Sequence, residues 1–488
     1  MTRYRRVMTE TPAPDELAHL DAVGLAQRIT QGDLSPVECI QATIDRIEAN
    51  NETLNAVIHK QYEQALELAA SPELPDGPFR GVPMLLKDLW AEEAGQPHHF
   101  GAQALKDANF TGSNDSNMVQ RYKEAGFINV GRTNTPELGT VATTEPLADG
   151  PTRNPWNPEY GTGGSSGGAA AAVASGMVPA ANASDGGGSI RIPAALCGLV
   201  GLKPSRGRIS MGPREEWGLS IQHVVSHTMR DTAAILDATA IPFLGDGVVA
   251  PDFGRPYAKQ VGANPGPLRI GIWNEHSMAA VHPDCAAATL QAAQLLESMG
   301  HQVSESHPQA LDEMHAMSDA FNATWAVGSV MGLEYLSEQL GRPITEEDIE
   351  PGNWALSGRG RSISAVDYAK AQAAMGTFRR AVLSWWEGGF DLLLTPTTAA
   401  PPPKIGELTA SKDDPVRASR RSLPYAVFTS PFNTTGQPAI TLPTGQSDGL
   451  PIGVQLVAAY GREDLLISVG AQLEEAVNWS ARRAAIHA

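Results

Sequence analysis

Two serines and one lysine are the side chains whose type and setting could do nucleophilic chemistry. Ser165 lies in Gly163-Gly164-Ser165-Ser166-Gly167-Gly168, and Ser189 follows 24 residues later in Asp185-Gly186-Gly187-Gly188-Ser189-Ile190-Arg191. Residues 161–189 hold nine glycines and five serines. Glycine at that density weakens a core, because each one costs conformational entropy and packs nothing. It fits backbone that must approach a ligand closely or take unusual dihedrals. Lys87 ends the apolar run Gly81-Val82-Pro83-Met84-Leu85-Leu86. A serine hydroxyl is a weak nucleophile unless a base removes its proton. A lysine can be that base only when neutral, which its ordinary pKa of about 10.4 forbids at neutral pH. Burial at the end of an apolar run disfavours the ammonium and brings that value down.

Other readings of the segment fit less well. A flexible linker would not contain the helix-forming Ala169-Ala170-Ala171-Ala172-Val173-Ala174 or the apolar Ile190, Ile192, Pro193 and Leu196. A phosphate loop needs Lys-Ser/Thr after its glycines, and none follows. Gly163-Gly164-Ser165-Ser166-Gly167 matches G-x-S-x-G, but a nucleophile elbow follows a buried apolar strand. Here Thr152-Arg153-Asn154-Pro155-Trp156-Asn157-Pro158-Glu159 precedes it, which cannot be a central strand. His98-His99 has no third ligand at metal spacing and reads as a solvated loop. His223 and His227 sit on a strand-like stretch, Cys197 reads as a small core residue, and Trp385-Trp386 as packing.

With these motifs the sequence resembles the amidase signature family. The resemblance rests on GVPMLLKD (81–88), GGSSGG (163–168), SDGGGSIRIPA (184–194) and GLKPSRGR (201–208). GRTNTPELG (131–139), NPW (154–156), SPFNTTGQPAITLP (430–443) and GLPIGVQLV (449–457) extend it over most of the chain. Many members carry Thr before the Asp and an apolar or hydroxyl residue after it; this chain has Ser184 and Gly186. That variant, with the SRGR that follows, looks most like the bacterial branch of aryl acylamidases, nylon-oligomer hydrolases and urethanases. The resemblance implies Ser189 as nucleophile, Ser165 as proton bridge after a cis peptide, and Lys87 as base. It implies an oxyanion hole from the N–H groups of Gly186, Gly187, Gly188 and Ser189. Asp185 and Arg191 would brace that loop, and backbone near Gly139 would hold the substrate amide. It implies no metal and no cofactor, a small amide or carbamate as substrate, and a monomer or homodimer. The rival within the same signature is the A subunit of a tRNA-dependent amidotransferase, which would need glutamine and a partner chain; a non-catalytic binding protein that kept the fold is the other.

The elements that must position these residues read as α/β, with a central mixed β-sheet covered by α-helices on both faces. Ser35-Pro36-Val37-Glu38 is a capping box that opens a helix over 35–49, with Val37, Ile40, Ile44 and Ile47 on one apolar face. The stretch 52–70 also reads as helical. Strand, helix and strand follow one another over 268–306, a strand lies near 390–394, and a last helix starts near Glu463. The whole chain, 1–488, is expected to form one domain, with 307–385 a largely helical region on the substrate side. With 36 Lys+Arg against 54 Asp+Glu the net charge is −18. So acidic a surface repels phosphate backbones and argues against a nucleic-acid partner; Arg3, Arg5 and Arg6 form only a short basic start. Three distant cysteines, Cys39, Cys197 and Cys285, suit a reducing cytosol. No apolar run is long enough for a membrane span, and the first residues lack the apolar stretch of a secretory signal, so a cytoplasmic enzyme is expected.

Overall fold

The computed structural model describes residues 14–213 and 218–488. The basic start at Arg3, Arg5 and Arg6 lies outside the described residues. Among the described residues thirteen strands occur in chain order: β1 Val57–Lys60, β2 Pro83–Lys87, β3 Ile128–Thr133, β4 Arg153–Asn154, β5 Asn157–Gly161, β6 Ala180–Asp185, β7 Val200–Lys203, β8 Ile221–Ser226, β9 Arg269–Ile272, β10 Gln302–Glu305, β11 Leu392–Pro396, β12 Ala439–Ser447 and β13 Leu450–Ala458. Eleven of them form one sheet in the order β1-β3-β2-β6-β8-β7-β12-β13-β11-β9-β10, flanked by helices. The sheet is mixed. β3, β2 and β6 run parallel, as do β11, β9 and β10, and the strands between are antiparallel. The fold class is therefore the α/β arrangement the sequence implies. β4 and β5 form a separate two-stranded ribbon, so the residues before Ser165 stay out of the central sheet.

The parallel pair β2–β6 is what matters for chemistry. Leu85 is in register with Ala181, so Lys87 and Asp185, the last residues of their strands, leave the sheet at the same edge. Carboxyl ends of parallel strands are where open α/β sheets build ligand sites. Every residue of β2 and of β6 is buried, as expected of strands covered on both faces. Between them in sequence lies the helix Gly167–Ala174, all eight residues buried, which seats Ser165 and Ser166 at its start.

Local signals set the helix ends. The capping box at Ser35 is present, with Glu38 N–H donating to Ser35 Oγ at 3.2 Å and Ser35 N–H to Glu38 Oε2 at 2.9 Å. Ile40, Ile44 and Ile47 are buried, whereas Val37 is 38 % exposed and stands off the apolar face it was expected to join. The helix runs on through Leu54, and the expected helix over 52–70 is broken by β1. The break has a local cause. Asn55 takes a left-handed conformation, and Asn51 Oδ1 accepts from the N–H groups of Ala56 and Val57 at 2.9 and 2.8 Å, which turns the chain into the strand. Helical periodicity resumes only in Tyr62–Ala70. The region 307–385 holds the helices His315–Leu340, Pro351–Arg361 and most of Ala365–Glu387. Among the described residues no helix is long and apolar enough to cross a membrane.

Asn51→Ala leaves two backbone donors of the turn without their acceptor. It is expected to lower unfolding free energy by roughly 1–3 kcal/mol in denaturant titrations, without changing the chemistry at Lys87.

Candidate active site

β2 delivers Lys87 into a fully buried position. Its Nζ lies 2.7 Å from Ser165 Oγ, 2.9 Å from Ser184 Oγ and 3.0 Å from Ser166 Oγ. Burial lowers its pKa to about 7, against the opposing pull of Asp185. The next residue, Asp88, is raised to about 7, also by burial, and its carboxyl accepts the N–H groups of His99 and Gly101 at 2.9 and 3.2 Å. Ser165 follows a cis peptide from Gly164, as the resemblance implies. Gly164 has no room for a side chain: a Cβ there would sit 2.4–2.7 Å from the backbone of Thr143. Ser166 N–H donates to Ser189 O at 3.3 Å, which ties the first serine loop to the second.

Ser189 follows the turn after β6, and one charge pair organises that turn. Arg191 Nε and Nη2 each donate to the Asp185 carboxylate at 2.9 Å, a bidentate pair with both side chains fully buried. Burial alone would raise the Asp185 carboxyl; the Arg191 guanidinium overrides it and holds the pKa at about 2. Asp185 also accepts from Gly188 N–H at 2.8 Å and Ile190 N–H at 3.2 Å. The rest of the guanidinium is satisfied from the far end of the chain, by Gln455 Oε1 at 2.7 Å, Asn433 Oδ1 at 2.6 Å and Thr429 O at 2.9 Å. Asp185 and Arg191 thus brace the turn that carries Ser189. The expected set of oxyanion donors needs one correction. Gly188 N–H already donates to Asp185 at 2.8 Å, which takes it out of the expected set.

Above the turn is a cleft of about 890 Å³ of empty space, partly continuous with solvent, lined by Ser189, Gly187, Gly164 and Gly139. An added Cβ at Gly139 would lie 3.1 Å from Ser165 Oγ, so the expected substrate-holding backbone does border the serines. Thr140 beside it is braced from the helical region: its hydroxyl donates to Asn353 Oδ1 at 2.6 Å. Burial, with the neighbouring Glu350 adding to it, raises Glu137 to about 8, and Asn353 Nδ2 donates to that carboxyl at 2.8 Å.

The other singled-out residues separate clearly. His98 and His99 are buried, not solvated: His99 stacks edge-on against His59 at 4.4 Å and His98 lies over Phe100 at 4.2 Å. Tertiary packing covers a loop that is polar only in sequence. His223 Nε2 faces Thr232 O at 3.2 Å and His227 Nε2 faces Val173 O at 2.9 Å. Cys197 is in the core, and Trp385 packs on Trp386 and Phe390. Sequence reasoning missed Ser166 and Ser184 as partners of Lys87, and Asn433 and Gln455 as partners of Arg191. All four lie inside the motifs quoted for the resemblance, but nothing local shows what they touch.

Comparison with known proteins places the chain in a family. A family model described as Amidase matches residues 38–467. The chain is 42 % identical over 476 residues to a 6-aminohexanoate-cyclic-dimer hydrolase of Paenarthrobacter ureafaciens, covering 95 % of this chain and 96 % of that one. The structure of a 6-aminohexanoate cyclic dimer hydrolase complexed with substrate superimposes with a TM-score of 0.92 at 41 % identity, over 96 % of this chain and 99 % of that one. A bacterial aryl acylamidase matches with a TM-score of 0.86 at 28 % identity, over 96 % and 99 % of the two chains.

Arg191→Met strands the Asp185 carboxylate without its counter-charge. It is expected to cost about 3–5 kcal/mol of stability, read by denaturant titration. Arg191→Lys recovers only part of that, because an ammonium cannot reproduce the two-pronged contact.

Proposed function

The chain belongs to the amidase family, hydrolases acting on C–N amide bonds, and we propose that it cleaves small amides or anilides through an acyl-enzyme on Ser189, with nylon-type oligomers and carbamates as extensions. The observation that carries this reading is the buried Lys87 amine within 2.7 Å of the Ser165 hydroxyl.

Counting protons gives the direction of the relay. A neutral lysine amine has two N–H donors and one lone pair. Ser166 O–H donates to Ser184 O at 3.2 Å, so its oxygen is left to accept one Lys87 N–H. Ser184 Oγ accepts the other. The lone pair then points at Ser165, whose O–H is handed to it. Ser165 in turn takes the proton of Ser189 as the Ser189 Oγ–carbon bond forms on the substrate carbonyl. The negative charge moves onto the carbonyl oxygen, facing the N–H groups of Gly186, Gly187 and Ser189; each such donor is worth roughly 3–4 kcal/mol in comparable sites. Collapse breaks the C–N bond, and the leaving nitrogen takes the proton back from Lys87 through Ser165. Water attacks the acyl-enzyme by the same relay in reverse. A carbamate would leave an alkoxycarbonyl- or carbamoyl-enzyme instead.

Three measurements test this. Ser189→Ala is expected to abolish hydrolysis across a panel of aliphatic amides, anilides, carbamates and nylon cyclic dimer, and to abolish labelling by a fluorophosphonate; a fully active variant refutes the assignment. Because Lys87 must be neutral to act, kcat/KM should fall as pH drops through about 7, tenfold per unit below it. Asp88→Asn removes the buried carboxyl next to Lys87 that titrates in this range, and Glu137→Gln removes the one beside the cleft; both must leave the inflection in place. Ser184→Ala deprives Lys87 of one acceptor worth ~1–2 kcal/mol, so kcat should fall roughly 5- to 30-fold with KM little changed, and Ser184→Thr should recover it.

A further inference from the structure

Two aromatic rings close one side of the cleft. Phe321 and Trp325 are four residues apart on the helix His315–Leu340 and therefore share a face. Their rings stack at 5.5 Å with an interplanar angle of 14°, and both line the cleft that holds Ser189. Trp325 is fixed in place: its Nε1–H donates to Thr140 O at 3.3 Å, on the loop that carries Gly139. The stack lies directly on the nucleophile turn. A Cβ on Gly186 would come within 2.9–3.0 Å of the Trp325 ring and 2.8 Å of Ser220 Oγ; one on Gly187 would come within 3.3 Å of Phe321 Cζ. Gly186 is one of the two positions, with Ser184, where this chain departs from the pattern many members carry, and a side chain there would meet the ring.

The remaining wall is uncharged. Met278, Met314 and Met317 add polarisable apolar surface beside the rings, and Asn322, Ser419 and Ser422 supply neutral polar groups. Among the described residues no ionisable side chain lines the cleft. Asp185 and Arg191 neutralise one another beneath the turn. A charged substituent drawn into such a site loses water and finds no counter-charge, whereas a flat apolar one gains ring contact.

We propose that Phe321 and Trp325 are specificity-determining residues, which select an uncharged, flat-faced group beside the scissile carbonyl. This rests on Ser189 being the nucleophile of an amidase and adds which amides it takes.

The test compares para-nitroanilides of benzoic, butyric, succinic and 4-aminobutyric acids, matched pairs that differ in ring or charge on the acyl side. The wild type is expected to favour benzoyl over butyryl by about 10-fold, and butyryl over either charged analogue by about 30-fold, expressed in KM. Trp325→Ala should erase the benzoyl preference with kcat within a few-fold. Met331→Ala, on an exposed part of the same helix, should change nothing. If Trp325→Ala loses its fold, Phe321→Leu must narrow the same ratio. Succinyl or aminobutyryl anilide cleaved as well as butyryl by the wild type, or a benzoyl preference that survives loss of the ring, overturns the proposal. Ser189→Ala separates the two levels. If it silences all four substrates while those ratios are flat, the specificity claim falls and the nucleophile stands. If it remains active, the nucleophile assignment falls first.

Discussion

The molecule is arranged around one buried amine with no carboxylate in contact. Lys87 is enclosed on every side, and the three hydroxyl oxygens it touches offer hydrogen bonds without a full negative charge. An ammonium held this way is poorly compensated for the water it lost, so the neutral form gains ground. A carboxylate in contact would have reversed the outcome, because a charge partner stabilises the ammonium. The all-buried strands β2 and β6, their parallel alignment and the alanine-rich helix that seats Ser165 and Ser166 all serve that enclosure.

A few residues away the same fold does the opposite. Arg191 is as deeply buried as Lys87, yet it meets the Asp185 carboxylate through two parallel bonds and fills its remaining donors with Gln455, Asn433 and Thr429. Guanidinium keeps its charge where an amine gives its proton up, and its fork fixes geometry as well as energy. In the proposed mechanism the loosely compensated Lys87 amine exchanges the proton while the rigidly compensated Asp185–Arg191 pair keeps Ser189 in place.

Much of this was legible in the sequence, for identifiable reasons. Lys87 at the end of an apolar run and two serines amid glycines are local signals, and burial and backbone approach follow from them directly. The capping box at Ser35 is equally local and appears as read. What was illegible depends on contacts between distant segments. Ser184 looks like any strand serine until β6 is set beside β2. Asn433 and Gln455 look like ordinary polar residues until they meet Arg191. His98-His99 looks exposed because nothing nearby in the chain announces that His59, forty residues earlier, will pack edge-on against His99. Over 52–70 the periodic pattern outlasts the helix, because a single asparagine side chain captures the backbone donors that would have continued it.

The tie between Arg191 and Gln455 spans 264 residues, and that from Asn433 to Asp185 spans 248. During synthesis, Lys87, Ser165 and Ser189 have all left the ribosome while the groups that steady the nucleophile turn are still untranslated. On the proposed mechanism, the nascent protein carries its reacting hydroxyls before the groups that steady the Ser189 turn. On that mechanism, a chain that ends between Ser189 and β13 would hold every reacting group yet lack Gln455 and part of the frame of the turn.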